Sequence, residues 1–390
     1  MRIAVVGGGI FGVTAALSLR ARGHDVALFD PGPLPHPLAE STDISKVVRL
    51  DYGADDGYLT LMEAAIAGFR RWNALWNEPL FHEVGVTFLA RAPMVEGGFE
   101  HDSFARLTAR GWPIERLDAA AIASRFPAWS TGVYVDGYFN PIGGYAESGR
   151  IVARLVEDAR RAGIHLFDRC AFVRLHEQGS RVIGIVTDPG GTHLADRVVM
   201  AAGAWVPFLL PHLGASLRAS GQPVFHLLPK DPALFEPARF PVFGADIAGT
   251  GYYGFPLGRE GVVKIANHGI GRPMHPGDER ARIVSPDQEA ALRAFLRDTF
   301  PALVDAPIVH TRVCVYGDTW DGHFWIAPDP DHEGLVIAAG GSGHAFKFAP
   351  VLGDIIADAT EGAANPWLDR FRHRPDVRPA RAQEAARHQG

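Results

Sequence analysis

The first thirty residues constrain the fold of this chain more than any other stretch. An apolar run, Arg2–Val6, leads directly into Gly7, Gly9 and Gly12, and a second apolar run ends at Asp30. Gly7 suits a tight turn, Gly9 lets a pyrophosphate approach the backbone, Gly12 permits close helix packing, and Asp30 can bind a ribose hydroxyl pair. The pattern therefore predicts a Rossmann-like dinucleotide site, and the alternative is a glycine turn that serves packing alone.

The glycine pattern does not separate a nicotinamide from a flavin dinucleotide. A nicotinamide domain continues with regular βαβ units, whereas residues 31–51 form a polar, turn-rich segment that contains Lys46 and Arg49. A long loop in a compact domain is either a surface hinge or a cover over a ligand. This segment therefore favours a flavin domain, with the hinge as the alternative.

Composition excludes several classes of protein. The 390 residues suggest roughly two or three domains, and 47% hydrophobic with 21% charged residues is typical of a globular protein. The formal charge of -6 and the absence of a basic run argue against a nucleic-acid partner.

Cys170 and Cys314 are the only cysteines, without disulfide or metal-ligand spacing, so we predict no metal and a reducing compartment. The longest apolar run, 198–210, includes Pro207 and is too short to cross a bilayer, which indicates a soluble, cytoplasmic protein.

Hydrophobic periodicity predicts a mixed α/β (α+β) fold. Helical spacing occurs at 11–22, 58–76, 101–110, 118–125, 148–162, 286–299 and from 346 onwards. Buried strands are predicted at 2–6, 25–29 and 192–201, and alternating, aromatic-rich strands between 220 and 268 indicate an antiparallel sheet. We predict a discontinuous Rossmann-like nucleotide domain (1–80, 140–215 and 322–370), an inserted antiparallel-sheet substrate domain (81–139 and 216–321) and a loose tail (371–390).

The stretch 311–348 concentrates the chemistry of the chain. It contains Cys314, a short apolar strand, a glycine-rich turn with Gly341 and Gly343, and then Lys347. A strand, a turn and a helix in this order point backbone N–H groups and a helix dipole at whatever lies above the turn, which favours a carbonyl or anionic atom. The alternative is an ordinary βα turn with a solvated lysine.

Six motifs occur in an order that resembles a known family. They are GGGxxG at the start, SxxxxKxxRxxYG from Ser41, YYGFP from Tyr252, VKIANH from Val263, CxYxxTxDxHF from Cys314 and AAGGSGHAFKF from Ala338. Over residues 1–365 the chain resembles the monomeric sarcosine oxidase group of the D-amino-acid-oxidase-like flavoproteins. The resemblance implies FAD as cofactor and an FAD-binding role for the predicted Rossmann-like domain.

The resemblance also implies residue roles. Cys314 matches the cysteine that forms a thioether with the flavin, and Lys264 matches the lysine that holds a water near flavin N5 and promotes reaction with O₂. Arg49 and Lys347 match the pair that binds the substrate carboxylate. The alternatives are a buried strand thiol for Cys314 and a solvated lysine for Lys264.

Further residues of the site follow from the same resemblance. Tyr253 and His268 match residues that line the substrate cavity, Tyr52 belongs to the substrate-binding loop, and Lys46 would lie next to the flavin and take part in catalysis. The implied cofactor-binding residues are Gly7, Gly9, Ile10, Phe11, Gly12, Asp30, Pro31, Ser41, Thr42, Lys46, Val173, Gly203, Trp205, Cys314, Gly341, Ser342, Gly343, His344 and Lys347. The turn from Gly341 to His344 would donate N–H groups to the flavin's C2 carbonyl.

The implied reaction is hydride transfer from the carbon next to nitrogen to flavin N5. The resulting imine hydrolyses to an aldehyde and an amine, and O₂ is reduced to H₂O₂. The expected partners are an amino-acid substrate such as sarcosine and O₂, with no nucleic acid and no membrane, and the expected state is a monomer.

Two positions depart from the sarcosine oxidases. Lys46 stands where they have an arginine and Thr42 where they have a histidine. A lysine at this place resembles the fructosyl-amino-acid oxidases, which favours a bulkier N-substituent than methyl. Alternatives are therefore an oxidase of fructosyl or cyclic amino acids, an FAD amine dehydrogenase with another acceptor, and a nucleotide-binding module without turnover.

Overall fold

The computed structural model describes residues 1–375, so most of the predicted loose tail, 376–390, lies outside the described residues. The strands are β1 (Arg2–Val6), β2 (Asp25–Phe29), β3 (Lys46–Arg49), β4 (Phe81–His82), β5 (Val86–Ala90), β6 (Glu115–Asp118), β7 (Asp136–Asn140), β8 (Gly143–Ala146), β9 (His165–Phe167), β10 (Ala171–Gln178), β11 (Arg181–Asp188), β12 (Gly191–Leu194), β13 (Arg197–Met200), β14 (Leu217–Leu227), β15 (Val242–Ala245), β16 (Tyr252–Phe255), β17 (Val263–Asn267), β18 (Arg272–Pro273), β19 (Ile308–Thr319), β20 (Trp325–Pro328) and β21 (Leu335–Ala339). The α-helices are α1 (Ile10–Ala21), α2 (Asp56–Trp76), α3 (Phe99–Ala109), α4 (Ala119–Arg125), α5 (Ser148–Arg161), α6 (Val206–Leu209), α7 (Ile247–Thr250), α8 (Pro286–Thr299), α9 (Ala349–Glu361) and α10 (Leu368–Phe371).

A six-stranded sheet forms the first layer of the molecule. Its order is β20-β21-β13-β1-β2-β9, and β1 lies between two parallel partners, β2 and β13. Residues Ile3 to Val6 are buried, as expected for a strand covered on both faces. Helices α1, α2, α5 and α9 share one apolar cluster on this sheet. The predicted Rossmann-like βαβ unit is confirmed.

A nine-stranded sheet forms the second layer. Its order is β18-β14-β17-β16-β15-β5-β7-β6, and β19 pairs with the other side of β14 from Leu217 to Leu227. Most of its strand pairs are antiparallel, and β15 and β5 are parallel. Its core is rich in aromatic rings, with Trp129, Phe243 and Phe300 in mutual edge-to-face contact. The mixed fold class predicted from the sequence is confirmed.

A small sheet, β3-β8-β4, joins the two layers. Strand β3 follows directly on the segment 31–45 and carries Lys46 at its start and Arg49 at its end. A further three-stranded meander, β10-β11-β12, lies beside β13. The polar segment after β2 therefore leads into the small sheet, and on the way it contacts the glycine turn through Ser41 and strand β19 through the Thr42 carbonyl.

Two predicted elements differ from the structure. The strand predicted at 192–201 is two strands, β12 and β13, because the chain changes sheets at Ala195 and Asp196. The last long helix begins as a 3₁₀ turn, Ala345–Phe348, before α9. Near the end of the described chain Phe371 is fully buried and Arg374 pairs with Asp321 at 2.6 Å, so packing continues a few residues past the predicted start of the tail.

No helix within residues 1–375 combines the length and apolar character needed to cross a membrane.

Candidate active site

The glycine turn after β1 is built for close backbone approach. Gly7 has φ +104°, which side chains disfavour, and a Cβ on Gly12 would lie 1.8 Å from the Gly7 carbonyl oxygen. Helix α1 starts without a side-chain cap, and Ile10 N donates to Ser41 Oγ at 2.9 Å. Among residues 1–375 no acceptor meets the N–H groups of Phe11 and Gly12. Such a helix end fits the diphosphate of a dinucleotide.

Asp30 holds this turn in place from the end of β2. Its carboxylate accepts hydrogen bonds from Gly8 N at 2.8 Å and from Gly32 N at 3.0 Å. The side chain is buried, and burial raises the pKa of Asp30 even though both backbone donors oppose the shift. The remaining lone pairs of the two oxygens suit ribose hydroxyls.

Cys314 and Lys46 meet where β19 passes β3. Cys314 is 1% exposed, and the Lys46 Nζ lies 3.7 Å from its Sγ. Burial alone would lower the pKa of Lys46, but Cys314 and the Asp43 carboxylate outweigh burial and raise it. Lys46 is therefore a fixed cation beside the thiol.

Lys264 lies on β17 and is 2% exposed. Its Nζ donates to Asp43 Oδ2 at 2.7 Å and to the Ser45 carbonyl at 2.6 Å, and it lies 4.7 Å from the Phe255 ring centroid. Burial lowers its pKa to about 8, although Asp43 opposes the shift. The structure thus provides a buried lysine whose charge depends on one carboxylate.

Arg49 and Lys347 converge from β3 and from the 3₁₀ turn before α9. The Arg49 guanidinium lies 5.2 Å, and the Lys347 Nζ 4.9 Å, from the Tyr52 ring centroid. Both side chains are buried. Burial, followed by the nearby Arg49 cation, lowers the pKa of Lys347 well below its ordinary value. Two cationic groups held this close favour an anion between them.

One cavity of about 640 Å³, part of it open to solvent, collects most of these groups. Its lining residues are Lys46, Val47, Arg49, Phe88, Phe243, Ile247, Tyr253, His268, Gly343, His344, Phe346 and Lys347. The Tyr253 and His268 rings are 6.2 Å apart and nearly perpendicular. Lys46, Arg49 and Lys347 contribute basic side chains to this cavity, and most of its other lining residues are aromatic or apolar.

The glycine-rich turn after β21 forms part of the cavity wall. His344 Nδ1 accepts from Tyr52 Oη at 2.9 Å, and its Nε2 donates to the Gly322 carbonyl at 2.9 Å, an assignment that follows from the partners. Ser342 has φ +46° and its Oγ accepts from Thr319 N at 3.2 Å. The turn is therefore tied to the loop before β20 and to β19.

Several predicted site residues lie elsewhere. Lys264 lies behind the main cavity and lines a smaller one with Ser45, Glu147 and Glu260. Val173 is 53% exposed at a bulge of β10, and Trp205 is 37% exposed beside His275. Among the predicted cofactor residues that line neither cavity, Pro31 is exposed, Thr42 and Gly203 are half-buried, and Gly341 is buried.

Sequence reasoning missed two groups of residues. Asp43 contacts Lys264, and an acid three positions before Lys46 in a polar loop is the signal that could have indicated it. Phe88, Phe243 and Ile247 line the cavity, but in the sequence they are indistinguishable from core residues of strands.

Comparison with known proteins agrees with this geometry. A family model described as FAD dependent oxidoreductase matches residues 2–359. N-methyl-L-tryptophan oxidase of Salmonella arizonae is 30% identical over 359 residues, which are 91% of this chain and 93% of that protein. The enzyme of the same name from Escherichia coli O139:H28 is 28% identical over 363 residues, covering 91% and 93%.

Solved structures give the same result. Fructosamine oxidase (Amadoriase II) of Aspergillus fumigatus superposes with a TM-score of 0.83 at 25% identity, covering 96% of this chain and 90% of that one. Fructosyl peptide oxidase of E. terrenum has a TM-score of 0.84 at 22% identity over 99% and 94%, which supports the fold alone. The comparisons confirm the predicted family resemblance, the fold class and the FAD-dependent oxidation of N-substituted amino acids. The chain belongs to the family of FAD dependent oxidoreductases.

Proposed function

We propose that this enzyme oxidises the C–N bond of an N-substituted amino acid with a large apolar side chain and passes the electrons to O₂, forming H₂O₂. The observation that carries the proposal is the pair of buried basic side chains, Arg49 and Lys347, that line one aromatic cavity. A substrate carboxylate can bind both of these side chains, whereas a plain amine offers them no anionic group. Amino acids are therefore favoured over plain amines.

The carboxylate would be held by both cations. The Arg49 fork can bind two oxygens, and Tyr52 supports both cations from its ring face. Because the pKa of Lys347 is depressed in the protein alone, an arriving carboxylate would stabilise its protonated form. Binding then fixes the amino acid with its nitrogen towards Tyr253 and His268, which line the cavity.

FAD, held by the glycine turn and Asp30, would supply the redox chemistry, accepting a hydride from the substrate and reducing O₂. In this proposal the protein orients the amino acid, the rings of Phe88 and Phe346 cover part of the cavity wall, and the buried Lys264 cation stabilises the negative charge that O₂ gains. Tyr253 and His268 line the cavity beside the reacting carbon in this proposal. Lys46 keeps a positive charge next to Cys314.

The lining of the cavity supports the choice of side chain. Phe88, Phe243, Ile247 and Phe346 present apolar surface to the bound molecule. Sarcosine has no side chain and would bury little of this surface, whereas an aromatic side chain would gain about 25 cal/mol per Å² of apolar surface removed from water. The name of the relatives, N-methyl-L-tryptophan oxidase, is in line with this choice.

A fructosyl amino acid is the second candidate. Lys46 stands where the fructosyl-amino-acid oxidases also have a lysine, and the superposed Aspergillus structure is a fructosamine oxidase. A sugar needs hydrogen-bond partners for its hydroxyl groups, and Lys46, Tyr253 and His268 are the polar side chains in that part of the cavity.

We also propose that Cys314 carries the flavin covalently. Its side chain is buried on β19, and the Lys46 Nζ lies 3.7 Å from its Sγ, as a cysteine held against the edge of a bound flavin would require. The choice between an oxidase and a dehydrogenase depends on the role of Lys264. A cation beside the reacting O₂ would favour the oxidase.

The test is a substrate panel with H₂O₂ formation as readout. N-methyl-L-tryptophan, sarcosine, fructosyl-glycine and N-methyltryptamine, which has no carboxylate, would be compared by kcat/KM. We expect N-methyl-L-tryptophan to exceed N-methyltryptamine by roughly 10- to 100-fold, the magnitude of a lost charge-assisted contact, and also to exceed sarcosine, which lacks the apolar side chain. Equal turnover of N-methyltryptamine would remove the carboxylate clamp, and a preference for fructosyl-glycine would select the second candidate.

A further inference from the structure

A buried carboxylate, Asp43, lies behind Lys264 on the side away from the main cavity. Both side chains are 2% exposed, and the Asp43 Oδ2 accepts from the Lys264 Nζ at 2.7 Å. The carboxylate is held in place because its Oδ1 accepts from Ile44 N at 2.7 Å and its own carbonyl accepts from Gly149 N at 2.8 Å. The acid and the lysine therefore form a fixed pair.

The pair determines the charge of Lys264. Burial lowers the pKa of Lys264 to about 8, and Asp43 is the strongest influence in the opposite direction. Asp43 itself remains ionised because the Lys264, Lys46 and Arg312 cations together outweigh burial and lower its pKa. Without the acid, the buried lysine would lose its proton at a lower pH.

A second side chain, His226, lies between Asp43 and the exposed His310. His226 Nε2 is buried and has no hydrogen-bond partner within residues 1–375, and it lies 3.9 Å from Asp43 Oδ1. The His226 ring is 4.9 Å, between centroids, from the ring of His310, which is exposed. A shift of about 1 Å would bring Nε2 to hydrogen-bond distance from the acid.

His226 is in the form that such a role requires. Burial, with Lys264 next, lowers its pKa to about 4, so the imidazole is neutral at neutral pH and can accept a proton at one nitrogen and release one from the other. The charged and titratable groups around Lys264, Asp43 and His226 are Lys46, Cys314, His310 and Arg312, and Glu147, Arg259 and Glu260 line the smaller cavity that Lys264 also borders.

We propose that Asp43 is a positioning residue that holds Lys264 as an oriented cation, and that Asp43, His226 and His310 form the path by which the Lys264 proton exchanges with solvent. This inference rests on the proposed oxidase function. Reduction of O₂ to H₂O₂ by a flavin that carries a hydride takes up one proton, so that H⁻, O₂ and H⁺ give H₂O₂. Lys264 Nζ gives that proton and regains it through Asp43 Oδ2 from His226, which is reprotonated from solvent through His310.

A competing path leads through the smaller cavity. Lys264 also lines that cavity, whose other walls include Ser45, Glu147 and the exposed Glu260. Protons could reach the lysine from there through water. Variants must therefore separate the two directions.

The experiment uses the flavin-loaded enzyme with Asp43→Asn, His226→Leu and Glu260→Gln. Asp329→Asn is the matched control, because Asp329 is also a buried carboxylate paired with His212 at 2.8 Å but lies outside both cavities. The first readout is the dissociation constant of sulfite against pH. Sulfite bleaches an oxidised flavin, its binding is favoured by a nearby cation, and it requires neither an amine nor O₂.

We expect Asp43→Asn to move the pH midpoint of sulfite binding down by about one unit or more, a tenfold change in proton affinity, while Asp329→Asn leaves it unchanged. We expect His226→Leu to keep the midpoint but slow the reoxidation of reduced enzyme by roughly 100-fold. Added imidazole should restore that rate. The proposal would be overturned by an unchanged pH midpoint of sulfite binding in Asp43→Asn, or by a normal reoxidation rate in His226→Leu. It would also be overturned if imidazole failed to restore the slow rate of His226→Leu, or if reoxidation were slow in Glu260→Gln instead.

A further measurement works if a variant fails to bind flavin. Urea unfolding of Asp43→Asn, Lys264→Met and the double variant gives the coupling between the two side chains without any cofactor. Additive effects would refute the pair, and a double variant no less stable than Lys264→Met alone would support it. Failure of the proposed function would show instead as a flavin that no amine reduces, with the sulfite and urea results unaffected.

Discussion

Three charged side chains, Lys264, Asp43 and Lys46, lie close together, and those of Lys264 and Asp43 are almost fully buried. Each lysine alone would be costly to bury as a cation, and the one carboxylate stabilises both. The motif spacing allowed Lys46, Arg49 and Lys264 to be predicted as site residues. It could not reveal Asp43 and His226, because their importance follows only from the approach of β14 and β17 to the polar loop.

Replacement of Arg49 by lysine tests the carboxylate clamp. Lysine keeps the charge but loses the planar fork, so we expect KM for the amino acid to rise by roughly 10- to 100-fold, in line with about 1.5 to 3 kcal/mol for a charge-assisted contact. The measurement is the substrate dependence of anaerobic flavin reduction. Arg91→Lys is the control, since Arg91 faces Tyr134 outside the cavity; an equal effect there would speak against a specific role for Arg49.

The reaction with O₂ should depend on pH through Lys264. Its cation, the form that stabilises developing negative charge, is populated below a pKa of about 8, so the reoxidation rate should fall as pH rises above 8. Lys264→Met should reoxidise roughly 100-fold or more slowly and without this transition. The measurement is rapid mixing of the reduced enzyme with O₂ at each pH. A wild-type reoxidation rate that does not change between pH 6 and 10 would contradict the assignment.

At the scale of elements, the sequence predicted those helices best whose ends are marked by local chemistry. Helix α8 has the predicted bounds because Ser285 and Gln288 form a capping box and Pro286 stands in the first turn. The strand predicted at 192–201 was wrong in extent, since nothing local marks the change of sheet at Ala195. The division into two domains stays a prediction.

The stabilising effect of the cap of α8 can be tested separately from catalysis. Ser285→Ala should lower the free energy of unfolding by about 1 kcal/mol, because Gln288 N loses its acceptor, and Ser285→Asp should restore it. Urea denaturation provides the measurement. Turnover should not change, and a loss of activity in Ser285→Ala would show that α8 contributes to the active site.

At the scale of the molecule, FAD would join the two layers. The glycine turn and Asp30 belong to the six-stranded sheet, whereas Cys314 lies on β19 of the nine-stranded sheet. The order of the motifs predicted that both parts of the chain would contribute residues to FAD binding. It could not predict the shape of the cavity, because Phe88, Phe243 and Ile247 come from β5, β15 and α7, which meet only in the folded protein.

Acid precipitation tests the covalent link between the layers. We expect the yellow colour to remain in the pellet for the wild type and to appear in the supernatant for Cys314→Ala. That variant should also unfold at a lower temperature after removal of free FAD, since a ligand present at about 1,000 times its Kd contributes about 4 kcal/mol. Release of the flavin from the wild type would end the covalent proposal. Light scattering on the native proteins, before acid is added, checks the predicted monomer.

The flavin absorbance of the purified enzyme in a sealed anaerobic cell shows whether the enzyme is an oxidase of N-substituted amino acids. We expect N-methyl-L-tryptophan to bleach the flavin and admitted air to restore the colour, with one equivalent of H₂O₂ formed per bleaching cycle. A flavin that no N-substituted amino acid reduces, or that recovers only with an artificial dye and not with air, would contradict the proposed function.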